Sequence, residues 1–135
     1  MLKSPARLWL ARLLIITVIA WNLQAALAFL LAPASFAPAF ELAGLPGQAA
    51  VQGIALLFIM WNVPYLVAAW HPRKHLLSLK EALAMQLIGL LGESALLLSL
   101  ALSHPALRLS IQRFIAFDAA GLLLLLIAFW LANQT

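Results

Sequence analysis

Apolar residues gather in four long runs along this chain, about 8–32, 49–71, 82–103 and 109–132, and the stretches between them collect proline, glycine and charge. Each run reaches the roughly 20 residues that an α-helix needs to cross a hydrocarbon core about 30 Å thick. The pattern therefore predicts an all-α fold, a four-helix transmembrane bundle, in one integral membrane domain over residues 1–135. Ala32-Pro33 and Ala37-Pro38 end the first run, because proline has no N–H and disfavours helix in the residue before it. Residues 33–48 are too apolar for a solvated linker. The composition predicts a loop at the interface with Phe36, Phe40 and Leu45 dipping inward, and a short surface helix from Pro38 to Ala43 with Gly44 just past its end. Pro64 lies inside the second run and is expected to kink it. That would free the carbonyl of Met60 for a donor from Asn62, Tyr65 or a neighbouring helix.

The runs are interrupted by polar residues, and these change the picture. Glu93 stands in the middle of the third span, where a charged side chain costs about 2.5–3.5 kcal/mol on insertion scales, so it must be neutral, paired or turned to a polar interior. Gln86, Gly89 and Glu93 fall on one stripe of that helix, and small residues there admit a close second helix. Asn22, Asn62, Glu93 and Asp118 each lie near the middle of a different span. A compact bundle would bring these four together, with Gln24, Gln86, Tyr65 and Ser94 as further donors and acceptors. Arg113 would reach down from the outer side. If the two carboxylates approach each other, one holds a proton near neutral pH unless Arg113 neutralises the pair. Such a network is read in two ways: as a site for a small polar ligand, a quinone-like head group or a proton, or as hydrogen bonding that fixes helix register.

Composition excludes several classes. Hydrophobic residues make up 66% of the 135 and charged residues 9%, against about 45–50% apolar in soluble domains, so the surface of a soluble monomer could not be built. There is no cysteine, hence no disulfide or thiolate chemistry. The net charge of +4 is explained by flanking residues and not by nucleic-acid binding. Lys3, Arg7, Arg12, Arg73, Lys74 and Lys80 fall on one side of the spans and Arg108 and Arg113 on the other, so the positive-inside rule predicts both termini cytoplasmic. Trp9, Trp70 and Trp130 fall at the same level, as interfacial indoles do, while Arg73, Lys74 and Lys80 suit anionic headgroups. The first run is too long for the roughly 7–15-residue core of a secretory signal and reads as a retained span. His71, His75 and His104 do not form a metal set, because His104 belongs to the opposite side. Trp21 and Trp61 are read as core aromatics able to stack on a flat ligand, and they sit in echoing tetrads, Ile19-Ala20-Trp21-Asn22 and Ile59-Met60-Trp61-Asn62.

A first span running into Leu30-Leu31-Ala32-Pro33, a phenylalanine-containing loop, and Gly53-Ile54-Ala55-Leu56-Leu57 early in the second span resemble the DoxX-like family of small four-helix bacterial membrane proteins. The resemblance implies an inner (plasma) membrane location and an association with quinone-linked oxidation or redox partners. It assigns no catalytic residue. Two functions follow as expectations: an accessory or interaction subunit, bound to a membrane partner or to its own copies, and an intramembrane quinone- or lipid-binding enzyme or carrier that moves protons through Glu93 and Asp118. No cofactor is required by the first.

Overall fold

The computed structural model describes residues 4–134, so Lys3 and Thr135 lie outside the described residues. Four long helices carry the fold: α1 (Ser4–Leu31), α3 (Gly44–Trp70), α4 (Leu76–Ser99) and α5 (Pro105–Asn133). All four are long and apolar enough to cross a membrane. They extend past several edges of the apolar runs because backbone hydrogen bonding does not stop where hydropathy falls. Thus α3 starts at Gly44, α4 at Leu76 and α5 at Pro105, where proline fits the first helical turn. Most side chains of α4 beyond Gln86 are exposed or half-buried, as expected of a helix whose outer face meets lipid.

The helices close a ring. α1 packs on α3 and α5, and α4 packs on α5 and α3, while no Cα atoms of diagonally opposite helices come within 8 Å among the described residues and Phe58 of α3 meets Phe114 of α5 across the ring at 5.9 Å. Two buried clusters fill the ring at its ends. One joins Ala11, Ile15, Tyr65, Leu79, Ala82 and Leu125 with their neighbours, and its small alanines let the backbones approach. The other joins Ala26, Phe29, Ala37, Val51 and Ala55 beneath Phe36, Phe40, Phe58 and Phe114. Its rings meet mostly edge-on or tilted, Phe29 lying 4.9 Å from Phe36 and 5.7 Å from Phe40, with Phe40 stacked on Phe114 at 5.9 Å.

Both ends of the described residues lie at one end of the ring, where Arg7 donates to Gln134 at 2.7 Å. Trp9, Trp70, Trp130, Arg73, Lys74 and Lys80 are all exposed at this end. Helix C-termini leave carbonyls without partners, and arginines from neighbouring helices supply donors at both ends of the ring. Arg12 donates to the carbonyls of Ala69 (2.9 Å) and Trp70 (2.5 Å) and lies 4.7 Å from the Trp9 ring. Arg108 donates to those of Leu97 (3.0 Å) and Leu100 (2.7 Å) at the other end.

The connection after α1 differs from the expected surface helix over Pro38–Ala43. A single turn, α2 (Pro33–Phe36), runs directly into a 3-10 turn at Ala37–Phe40, both opened by proline. Glu41 follows in the left-handed region at φ 56° and Gly44 at φ 63°. Gly44 therefore opens α3 and does not close a preceding helix. The shift follows from burial: Phe36 and Phe40 turn into the aromatic cluster, whereas Leu45 is 78% exposed and does not dip inward. The strap is pinned to α5. Ser110 Oγ donates to the Ala39 carbonyl at 2.5 Å, His104 Nδ1 lies 2.6 Å from Glu41 Oε2, and the Leu107 N–H donates to Glu41 Oε1 at 3.3 Å. A carboxylate at this first turn satisfies an orphan N–H and complements the helix dipole. The His104 hydrogen bond, chiefly, holds the Glu41 carboxyl below its ordinary range.

Pro64 sits within a continuous α3. The expected donors to the Met60 carbonyl are engaged elsewhere: Asn62 Nδ2 donates to the Phe58 carbonyl of its own helix at 2.7 Å, and Tyr65 faces α4.

Candidate functional site

Where α4 crosses α5, two short motifs interlock: Gln86 with Gly89 three residues later, and Asp118 with Gly121 three residues later. Each glycine makes room for the polar side chain of the other helix. A Cβ on Gly121 would stand 2.6 Å from Gln86 Nε2, and a Cβ on Gly89 would collide with Asp118 Oδ2. Gln86 is the hub. Its Nε2 donates to Asp118 Oδ1 at 2.8 Å and to the Asp118 carbonyl at 3.3 Å. Its Oε1 accepts the Tyr65 hydroxyl from α3 at 2.6 Å, and the same hydroxyl lies 3.2 Å from the Ala82 carbonyl. Because a carboxylate needs a donor, Asp118 fixes which end of the amide faces it.

These three residues face a cavity of about 380 Å³. It lies between the two buried clusters: Val18 and Tyr65 of the first line it, as do Phe29, Phe36, Phe40, Phe58 and Phe114 of the second. Asn22, Gln24, Glu93, Ser110 and Arg113 complete its polar lining, with Trp21, Trp61 and Phe117 along its sides. Trp21 meets Phe117 at 6.1 Å between α1 and α5. Gln24, Trp61, Arg113 and Phe117 are exposed, so the cavity reaches the outer surface of the bundle.

The polar residues singled out from sequence divide accordingly. Tyr65, Gln86 and Asp118 form one hydrogen-bonded chain, while Asn22, Gln24, Glu93 and Arg113 line the same cavity without a hydrogen bond among the described residues. Asn62 does not join them. It is 0% exposed, bonds back to its own helix, and leaves Oδ1 without a partner, outside the cavity lining. Ser94 likewise donates to the Leu90 carbonyl one turn back, at 2.6 Å, and is not in the lining. Nor does Arg113 neutralise the carboxylates: among the described residues the one ion pair is His104 with Glu41. Of the aromatic end wall, Phe36 and Phe40 match the inward-facing expectation, whereas Phe29, Phe58 and Phe114 had no such assignment; their signal lies in helical spacing, with Val18, Asn22, Ala25 and Phe29 repeating on α1 and Ser110, Phe114 and Asp118 on α5.

Chemically, the site offers flat apolar walls and a few convergent polar groups. That is the usual make-up of a small-molecule pocket, and its volume falls within the range of about 300–1,000 Å³ common for ligands. Among the described residues no group of three or more His, Asp or Glu is placed to hold a metal ion. Comparison with family models, curated proteins and solved structures finds no match to this chain.

Proposed function

We propose that this chain is an integral membrane protein that holds a small amphiphilic molecule between its helices. One observation carries the reading: the cavity of about 380 Å³ enclosed by all four long helices and the strap, aromatic at one end and polar where Tyr65, Gln86, Asp118 and Glu93 converge. Hydrogen bonding for register alone needs no such space, because helices packed on a structural network close around it. A molecule with a ring or branched apolar body and a polar group fits both halves of the lining.

The test is native mass spectrometry of protein extracted with its surrounding lipid in polymer discs. A small molecule retained at one per chain is expected, and Ala28→Phe, which fills the cavity from a lining position, should release it while circular dichroism stays helical. Parent protein that carries no stoichiometric molecule, or retention unchanged in the filled variant, would overturn the proposal.

A further inference from the structure

The two carboxyl groups of the cavity are short of donors, and this bears on the class of molecule it takes; the inference rests on the binding reading above. Two carboxyl groups, Glu93 and Asp118, line the cavity and bring four oxygens. Among the described residues a single hydrogen bond reaches them, from Gln86 to Asp118 Oδ1. Glu93 Oε2 is buried with no donor. The titratable groups facing the cavity are Tyr65, Glu93, Asp118 and Arg113, and the last, the one cation, is an exposed side chain that bonds to neither carboxylate. Trp21, Trp61 and the phenylalanine cluster line the same cavity. Carboxyl oxygens without donors in an aromatic chamber are matched by a guest that brings positive charge, through attraction to the carboxylates and to the ring quadrupoles. A neutral quinone brings no donor to either carboxyl group.

We infer that the cavity binds a lipophilic organic cation, an amine or quaternary ammonium joined to an apolar body, between Glu93, Asp118 and the aromatic wall.

Benzyltrimethylammonium and its uncharged isostere neopentylbenzene share shape and differ in charge, and decylubiquinone represents the neutral acceptor class. Binding is read from the fluorescence of Trp21 and Trp61 in a chain with Trp9, Trp70 and Trp130 changed to Phe, with micelles lacking protein as the partition control. The expected result is saturable binding of the cation at least about tenfold tighter than the isostere, and a loss of about that size in Glu93→Gln. Asp118→Asn, which keeps an oxygen for Gln86, should weaken the cation similarly while retaining the parent's thermal unfolding. Binding of isostere or quinone as tight as the cation, unchanged by either substitution, would overturn the cation inference and leave the cavity reading standing. Binding of none of the three would overturn both.

Discussion

The contact between Gly121 and Gln86 gives the sharpest test of how α4 and α5 are held together. In Gly121→Ala the new methyl would stand 2.6 Å from Gln86 Nε2 and 3.0 Å from Cδ, so the amide has to move. It cannot move freely, being tied to Asp118 Oδ1 at one end and to Tyr65 at the other. Hydrogen bonds between membrane helices average about 0.6 kcal/mol and reach about 1.7 kcal/mol, so disturbing two of them costs about 1–2 kcal/mol. Overpacking adds about 1 kcal/mol or more. Alanine returns about 1 kcal/mol through its better helix propensity. The net expectation is a loss of about 1–2 kcal/mol. In a Gln86→Ala background the space is vacant and the bonds are already gone, so the same substitution should be neutral or stabilising by up to about 1 kcal/mol. The double-mutant coupling is then about 2 kcal/mol, large enough to resolve. Unfolding by sodium dodecyl sulfate in bicelles, followed by far-ultraviolet circular dichroism, measures it. An equal effect of Gly121→Ala in both backgrounds would show that the glycine is not there to admit the amide.

Two further outcomes are expected. The folded Glu41 carboxyl titrates below its ordinary value of 4.5, so the stability it contributes is fully present above about that pH and is lost as pH falls through the lowered value. Glu41→Gln should therefore show a flatter loss of thermal stability between about pH 5 and pH 2 than the parent chain; matching profiles would mean that the strap is held without Glu41. Under the positive-inside rule, the basic residues concentrated at one end of the bundle predict that this end faces the cytoplasm. A fluorescent-protein fusion at the C-terminus should accordingly light up, and a periplasmic phosphatase fusion there should stay inactive, with the reverse pattern refuting the orientation.

Hydropathy alone was enough to specify four spanning helices, because the bilayer demands about 20 apolar residues with internally satisfied backbone whatever they pack against. It also exposed the costly residues, since Glu93 and Asp118 are conspicuous in any apolar run. Which polar side chains meet is a different kind of fact. Asn62 and Trp61 are adjacent in sequence and about 100° apart on the helix, so a small rotation of α3 decides which faces the cavity; Trp61 does, and Asn62 turns back to Phe58. The strap shows the same limit. Prolines at 33 and 38 both permit a helical start, and the turns settled where Phe36 and Phe40 could be buried.

The sequence by itself thus determined the span count, the shared end of the termini and the presence of acids at membrane depth, all of which depend on transfer from water to lipid and on chain connectivity. The tertiary structure decided the rest: that Gln86 and not Asn22 or Asn62 partners Asp118, that Gly89 and Gly121 make the crossing, and that a cavity remains between two separate hydrophobic clusters. These depend on the rotation and vertical offset of each helix. In a chain apolar on nearly every face, no amphipathic stripe fixes them, and only mutual packing does.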